Sequence, residues 1–159
     1  MSQQAAATFT QGDLDRPRLY DGVRTRRIMA FVFDYVLIAL LTIPAALVVF
    51  LLGIVTLGLG WLLFAVLIPV LAALYVGFTM GGPRHATPGM RLAGIRLERL
   101  DGGTVDPVFA VLHGVLFWAG NAVLSPAIIL VGLFTSRKQL VHDLLLNTVM
   151  IRDDRWDAR

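Results

Sequence analysis

The longest uncharged stretch of this chain limits what it can fold into more than any other feature. No Asp, Glu, Lys, Arg or His occurs between Asp34 and Arg84, an interval of 49 residues. A second stretch, from Pro107 to Ser136, contains His113 as its one ionisable side chain. Because an α-helix rises about 1.5 Å per residue and a bilayer core is about 30 Å thick, roughly 20 apolar residues cross it once. The first stretch therefore has room for two crossings and the second for one, which excludes a soluble enzyme with a single packed core.

Composition and charge agree with a membrane protein. Of the 159 residues, 57% are hydrophobic and 16% are charged, and the mean hydropathy is +0.72. The net charge of +3 comes from cations that lie beside the apolar stretches, which favours membrane topology over nucleic-acid binding. The absence of cysteine excludes a disulfide framework, a thiolate metal site and a cysteine nucleophile. Since the sequence offers no positioned nucleophile either, we expect neither an enzyme, nor a cofactor, nor a metal site.

These stretches predict an all-α integral membrane protein with a small cytoplasmic β element. Two transmembrane helices are expected, followed by a third apolar helical segment that is broken or re-entrant. A glycine-rich turn at Gly53–Gly60 joins the two helices as a tight hairpin. The predicted ranges are spans at 28–52, 61–80 and 108–134, a loop at 82–107, a mobile polar tail at 1–24 and a polar tail at 153–159, with residues 25–152 forming one membrane domain.

A stripe of small residues follows one face of the second predicted span. Ala65, Pro69, Ala73, Gly77 and Gly81 recur every four residues, which lets another helix approach closely. We expect this face to pack within the chain, against the first span, rather than against a second copy.

Two segments outside the spans have the pattern of β-strands. Ile95 and Leu97 alternate with Arg96 and Glu98, as in a strand with one buried face. Residues 147–152 contain a β-branched run. The two segments can pair as an extramembrane ribbon, provided that both lie on the same side of the bilayer.

The distribution of positive charge sets the expected topology. Five arginines precede the first span, so the positive-inside rule places the N-terminus in the cytoplasm, and two crossings return the chain to that side. One further crossing by residues 108–134 would place the C-terminal cations outside, against the rule. Asn121 and Ser125–Pro126 lie near the middle of this segment and can break it into two half-length helices. We therefore expect a re-entrant or interfacial hairpin and a cytoplasmic C-terminus.

Three separated motifs give the chain a family resemblance. They are Arg27 with Asp34 at the head of the first span, the sequence ATPGMRLAGIRL at 86–97, and the sequence LVHDLLLNTVMI at 140–151. Over residues 24–152 the chain resembles the RDD family, which is named for one arginine and two aspartates, corresponding here to Arg27, Asp34 and Asp143. The resemblance implies a multi-pass protein of the bacterial inner membrane, suspected of transport, with no agreed substrate class.

The central motif supplies further candidate residues. Its positions are Thr87, Pro88, Gly89, Arg91 and Gly94. Where the family usually has a lysine after Thr-Pro-Gly, this chain has Met90. If that cation binds an anionic ligand or headgroup in other members, this chain has to use Arg91.

The candidate ion or ligand site consists of Arg27, Asp34, His142 and Asp143. Arg27 and Asp34 are seven residues apart, which on a helix places them on nearly the same face and about 10.5 Å apart along the axis. We expect them to contact a third group from the C-terminal segment. The groups considered are Arg137, Lys138, His142 and Asp143. If the hydrocarbon begins where the apolar run begins, Asp34 lies about 9 Å inside it and must face protein or water and be paired or protonated.

Two interpretations of these residues stay open. In the first, a buried carboxylate with a shifted pKa, gated by Arg27 and linked to Asp143, forms a cation or proton site. In the second, Arg27 anchors at the phosphate level, and both aspartates hold the C-terminal segment against the first span. The chain is accordingly predicted to be a subunit for transport of cations, protons or small solutes, or else a non-transporting scaffold, assembly or interaction protein.

The histidines are not expected to catalyse a reaction. His142 and Asp143 are adjacent, and adjacent side chains do not face each other on a helix, so they do not form a catalytic dyad. His113 has no partner at i+3 or i+4 and is expected to be packed or interfacial, and His85 to be solvated in its loop. Since two or three spans rarely enclose a pathway alone, the expected partners are the lipid bilayer and either further copies of the chain or another membrane protein, with no nucleic acid.

Overall fold

The computed structural model describes Leu14, residues 16–124, Thr135 and residues 137–153. Helices make up most of this part of the chain, and one small sheet accompanies them. The elements, in chain order, are a 3-10 helix at Pro17–Tyr20, α1 at Val23–Val55, a 3-10 helix at Leu59–Leu63, α2 at Phe64–Met80, α3 at Pro88–Leu92, β1 at Ile95–Arg99, α4 at Pro107–Leu124, α5 at Val141–Leu145 and β2 at Thr148–Arg152.

Two helices are long and apolar enough to cross a membrane, as the sequence predicts. α1 has 33 residues, and α2 with the 3-10 turn before it forms an apolar run of 22 residues at Leu59–Met80. In each, 11% of the most apolar window is buried, whereas a helix that is apolar on all sides in a soluble protein is buried in its core. The outward faces of both helices are therefore suited to lipid, and Pro44 does not interrupt α1.

α1 is longer than a bilayer core is thick. Its 33 residues extend about 50 Å, against about 30 Å for the hydrocarbon. Residues 35–55 alone, which contain no charge, cover about 31 Å. The first third of α1 contacts the polar part of the chain: Arg26 Nη1 donates to the Ala93 carbonyl at 2.5 Å, and Gly89 packs directly on the Ala30 backbone.

The turn between α1 and α2 is closed by glycines and a tryptophan. Gly60 approaches Gly53 so closely that a Cβ on Gly60 would lie 2.7 Å from the Gly53 nitrogen. Trp61 stacks on Phe50, with ring centroids 6.4 Å apart, and its Nε1 donates to the Phe50 carbonyl at 3.2 Å. Gly58 has a φ of +102°, a conformation that residues with a Cβ rarely adopt. These contacts join the two helices as a tight hairpin.

α4 packs against α2, and three small residues of α2 and its C-cap, Ala73, Gly77 and Gly81, face it. A Cβ on Gly81 would lie 2.4 Å from the Pro107 Cα, and one on Gly77 would lie 3.1 Å from Val111. The contacts advance along α4 as they recede along α2, so the two helices are antiparallel. Ala73 lines the groove between the same helices. For these three residues, the expectation that the stripe packs against the first span is therefore wrong about the partner, because α4 fits where α2 has no large side chain; Ala65 and Pro69 are exposed.

The third apolar segment begins as a helix. α4 starts at Pro107, since proline suits the first helical position, and the preceding Asp106 accepts the Phe109 amide at 2.8 Å through its Oδ1. The helix continues through Asn121, so the predicted break does not occur at that residue. Ser125–Pro126, the other predicted break, lies outside the described residues. A return of this segment to its starting side stays a prediction.

β1 and β2 form a two-stranded antiparallel sheet, as the sequence predicts. Leu97 pairs with Met150. Because side chains alternate between the faces of a strand, Ile95, Leu97 and Met150 pack on one side, in an apolar cluster with residues of α1, α3 and α4. Val149 and Ile151 face the other side, where they meet the first 3-10 helix. The sheet thus joins the loop after α2 to the segment after α5.

The described part of the N-terminal region is folded, which corrects the expectation of a mobile tail through residue 24. Leu19 and Tyr20 of the first 3-10 helix are buried against β2. The Tyr20 hydroxyl donates to the Leu14 carbonyl at 2.7 Å, and the Tyr20 carbonyl accepts a bond from Lys138 Nζ at 2.8 Å. These apolar side chains are ordered because they cover the outer face of the sheet, a contact that local composition does not reveal.

Candidate functional site

An ion pair joins the head of α1 to α5. Arg27 Nη1 donates to Asp143 Oδ2 at 2.6 Å, and the Asp143 side chain is fully buried. Asp143 occupies the third position of α5, where a carboxylate reaches back to an amide at the helix start, and its Oδ2 also accepts the Leu140 amide at 3.0 Å. Local helix geometry therefore orients the carboxylate, and Arg27 holds α5 against α1 from 116 residues away in sequence.

Two imidazoles lie on the other side of the same carboxylate. The Nε2 atom of His142 lies 3.3 Å from Asp143 Oδ1, and that of His113 lies 3.7 Å from it. The two rings meet edge to face, with centroids 4.8 Å apart, and Phe117 of α4 packs on His142. His113, His142 and Asp143 are 4%, 3% and 0% exposed. We call these three residues together with Arg27 the Arg27–Asp143 cluster.

The cluster contains polar atoms that lack partners. Among the described residues, none hydrogen bonds to Asp143 Oδ1, to the Nδ1 atom of either histidine, or to Nε and Nη2 of Arg27. Buried polar atoms are paired in the great majority of cases, and an unpaired one marks a catalytic role or a place for water or an ion. The cluster therefore has unused bonding capacity around one buried oxygen.

Burial and charge act in opposite directions on the titratable groups of α5. Burial by itself raises the pKa of Asp143, but the positive charge of Arg27, the two imidazoles and the Leu140 amide together hold that pKa below its ordinary value. Burial lowers the pKa of His142, against the attraction of Asp143. Near neutral pH, α5 thus presents an ionised carboxylate beside a neutral imidazole.

Asp34 lies in a second cluster, where it accepts three hydrogen bonds. Its Oδ1 accepts the Tyr75 hydroxyl at 2.5 Å and the Gly89 amide at 2.8 Å, and its Oδ2 accepts the Thr87 hydroxyl at 2.5 Å. The donors belong to α2 and to the start of α3. We call these four residues the Asp34 cluster. Through these bonds, Asp34 connects α1 to α2 and to the start of α3.

The Thr-Pro-Gly sequence builds the start of α3 against Asp34. Thr87 is the N-cap, and its Oγ1 accepts the Met90 amide at 3.2 Å. Pro88 occupies the first helical position, which suits proline. A Cβ on Gly89 would lie 2.3 Å from a backbone oxygen of α1 and 2.8 Å from the Asp34 carboxylate. The close contact between α3 and α1 therefore requires glycine at this position.

The other residues of this motif have structural partners. Met90 is 5% exposed and belongs to the apolar cluster beneath the sheet. Arg91 Nε donates to the Ala86 carbonyl at 3.1 Å, and Gly94, with a φ of +64°, adjoins the Arg26 guanidinium. Met90, at the position where the family usually has a lysine, is thus part of the apolar core. Arg91 hydrogen bonds to the backbone of the loop that precedes it.

Comparison with known proteins identifies the family. The RDD family model matches residues 22–147, a range that includes both clusters. The chain belongs to the RDD family. A search of curated proteins and a search of solved structures found no match.

The three RDD residues divide between the two clusters. Arg27 contacts Asp143, and the described hydrogen bonds of Asp34 lead to neither of them. Residues 35–55 alone are long enough to cross the hydrocarbon, so the length of α1 does not require Asp34 to lie within it, and the depth of Asp34 stays a prediction. The RDD motif therefore contributes one buried ion pair and one separate carboxylate that accepts three hydrogen bonds.

Sequence reasoning placed His142 in the candidate site but missed His113 and the direct approach of His142 to Asp143. The rule that adjacent helical side chains do not face each other fails for His142 and Asp143, because α5 has five residues and Asp143 bends back toward the helix start. His113 finds its partners on α5 rather than at i+3 or i+4 of its own helix. The available signal was its place as the one ionisable group in an apolar segment, which in a membrane protein indicates function by default.

Proposed function

We propose that this RDD protein is a subunit of a membrane transport system for cations or protons and that the Arg27–Asp143 cluster is its ion-handling site. One observation supports the proposal above all: Asp143 Oδ1 is buried, faces two imidazoles and has no hydrogen-bond partner in the described part of the chain. Ionisable groups inside or beside a membrane are costly, and they mark ion and proton pathways. A carboxylate oxygen of this kind accepts a cation, and the imidazoles beside it supply further coordinating atoms.

The elements that carry the cluster connect it to the membrane. Arg27 belongs to α1 and His113 to the apolar α4, while His142 and Asp143 belong to α5 next to the sheet. A shift of α4 against α1 therefore changes the surroundings of the Asp143 carboxylate. Such a shift gives the protein a way to couple ion release to helix movement, provided that the ion favours one arrangement over the other.

The cluster is placed on the cytoplasmic side of a bacterial inner membrane. The arginines before α1 and after α2 favour that side by the positive-inside rule. Pairing of β1 with β2, and of Arg27 with Asp143, holds the segments before α1, after α2 and after α5 at one face of the fold. On this proposal the chain leaves that face at Pro107 and is back at it by Arg137, so the C-terminus is cytoplasmic as well.

The working unit is proposed to contain more than one chain. Two spans and one further apolar helix enclose little volume, and large apolar side chains of α1 and α2 such as Val55 and Phe78 are largely exposed. A second copy of the chain, or another membrane protein in the same bilayer, supplies the further helices that enclose the pathway.

A second candidate function, that of a non-transporting scaffold, is favoured by the Asp34 cluster. Asp34 accepts three hydrogen bonds and needs no ion to satisfy it. In this alternative the ion pair between Arg27 and Asp143 has the same structural task, holding α5 against α1.

Reconstitution into proteoliposomes separates the two functions. Flux of protons, Na⁺, K⁺ and Zn²⁺ is measured for the wild type, for Asp143→Asn and for the control Asp101→Asn, which removes an exposed carboxylate paired with Arg99. Transport through the cluster predicts flux in the wild type and the control, and background flux in Asp143→Asn at unchanged oligomer size.

A second variant covers the case in which Asp143→Asn does not fold. That substitution leaves Arg27 buried without its charge partner, at a cost of about 3–5 kcal/mol. His142→Gln keeps the ion pair and removes one imidazole, so it is measured in parallel and is expected to reduce flux. Absence of flux in folded wild-type protein, or full flux in whichever of the two variants folds, overturns the proposal and favours the scaffold.

A further inference from the structure

We propose that the Arg27–Asp143 cluster binds one divalent transition-metal ion of the zinc type, with His113, His142 and Asp143 as its protein ligands. The inference rests on the proposed function in one respect, because it names the ion that the transport site carries. The binding itself is independent of transport and is tested without it.

The three side chains stand at coordinating distances from one another. One nitrogen of each imidazole and one carboxylate oxygen all lie within 4.8 Å. A zinc ion about 2.0–2.1 Å from each ligand in a tetrahedron separates those ligands by about 3.3 Å. The separations from Asp143 Oδ1 are 3.3 Å to His142 Nε2 and 3.7 Å to His113 Nε2. Small side-chain rotations therefore bring all three atoms onto one ion.

The set of ligand atoms selects the class of ion. Two imidazole nitrogens and one carboxylate oxygen match zinc and its first-row neighbours, whereas Mg²⁺ and Ca²⁺ prefer oxygens alone. The sequence contains no cysteine, so no thiolate competes for the ion. Three protein ligands leave a fourth position for water or for exchange, as in zinc sites that are not purely structural.

Arg27 occupies the other oxygen of the carboxylate. Both its Nη1 and the Leu140 amide bond to Asp143 Oδ2, which turns Oδ1 toward the imidazoles. Groups that hydrogen bond to a ligand in this way orient it for the metal. The positive charge of Arg27 also repels a cation nearby, so the site binds its metal less tightly than the three ligands alone would. Weaker binding suits an ion that has to be released.

Metal binding to the full chain in detergent tests the inference. The first probe is Co²⁺, whose visible absorption reports its coordination, and the second is calorimetry with Zn²⁺ in an excess of Na⁺ and Mg²⁺. The protein carries no polyhistidine tag, because such a tag binds the same ions. His113→Gln and His142→Gln each remove one ligand. The control His85→Asn removes the third histidine of the chain, at a φ of +49° that asparagine tolerates.

We expect one Co²⁺ per chain, with a low-coordination spectrum, in the wild type and in His85→Asn. Each ligand variant should lose at least about 100-fold in affinity, since removal of groups that merely orient a ligand already costs about 10–100-fold. Zn²⁺ should raise the Tm of the wild type and leave that of the double variant His113→Gln/His142→Gln unchanged.

Three results overturn the metal site: no binding by the wild type, binding that persists in the double variant, or binding that His85→Asn abolishes. Metal binding without flux in proteoliposomes supports the site and removes the transport proposal. Proton or Na⁺ flux without metal binding supports the transport proposal and overturns the metal site.

Discussion

Replacement of Asp34 by asparagine distinguishes a structural carboxylate from one that carries an ion. The carboxylate accepts bonds at 2.5, 2.5 and 2.8 Å from Tyr75, Thr87 and Gly89. Asparagine keeps this geometry if its oxygen faces Tyr75 and Gly89 and its amide donates to the Thr87 hydroxyl, whose proton rotates away. What is lost is the charge: a hydrogen bond to a charged group contributes about 1.5–3 kcal/mol and a neutral one about 0.5–1.5 kcal/mol. At about 1 kcal/mol for each of three bonds, Asp34→Asn should lower the free energy of unfolding by about 3 kcal/mol.

Alanine at the same position should be more destabilising than asparagine. Asp34→Ala removes the acceptor of three donors in a mostly buried region, and each buried donor left unpaired costs about 1–3 kcal/mol. The Gly89 amide is affected most, because a backbone group cannot turn toward another acceptor as the two hydroxyls can.

The assay combines a global and a local measurement. Unfolding in mixed micelles with increasing SDS reports the free energy difference, and hydrogen exchange of the Gly89 amide reports whether the contact between α3 and α1 has opened. The matched control is Asp106→Asn, an exposed carboxylate that caps α4 through one amide. Asparagine caps as well as aspartate, so we expect a change within about 0.5 kcal/mol.

One combination of results would refute this account of Asp34. If Asp34→Asn unfolds at the same SDS concentration as the wild type, keeps the Gly89 amide protected and yet loses ion flux, the charge of Asp34 serves transport and not the attachment of α3. Equal stability of the asparagine and alanine variants would also contradict the ranking.

Three further predictions follow from the packing. Arg27→Gln leaves Asp143 buried without its charge partner and should cost about 3–5 kcal/mol in the same titration; a variant as stable as the wild type would mean that the pair contributes nothing. Gly81→Ala places a Cβ 2.4 Å from the Pro107 backbone and should lower the Tm, whereas Gly114→Ala, with its nearest neighbour at 3.5 Å, should not; equal Tm values would contradict the close packing of α2 on α4. A reporter that is active only in the periplasm, fused to the C-terminus, should be silent, and its activity would end the placement of both ends on one side.

The spans and the ribbon could be predicted because their signals are local. Apolar runs of sufficient length define helices in lipid, and the alternation around Leu97 with the β-branched run near Val149 defines strands. The start of α1 at Val23 was harder to predict, because residues before Ile28 show no apolar run and are helical only where they pack on α3 and the sheet. Leu19 is ordered for the same reason.

The candidate site could be predicted only in part. The RDD motif pointed to Arg27 and Asp143, but no spacing rule links His113 to α5, since their contact depends on how α4 packs. Thr87 and Gly89 were candidates through the central motif, but their bonds to Asp34 could not be predicted, because a backbone amide has no sequence signature; Tyr75 is one aromatic residue among many apolar ones. Both clusters are formed by contacts between elements that are far apart in the sequence.

The length of α1 determines which electric field acts on an ion at the Arg27–Asp143 cluster. If residues 35–55 fill the hydrocarbon, Asp34 lies at its edge, and Arg27 lies about 10 Å farther out along the axis, at the depth of the lipid headgroups. An ion there senses the surface charge of the leaflet rather than the voltage across the membrane. A surface potential of about −30 mV, ordinary for a leaflet with anionic lipids, concentrates a divalent cation about tenfold over bulk solution. The lipids that surround α1 thereby set how much of the ion the cluster encounters, before any residue of the protein binds it.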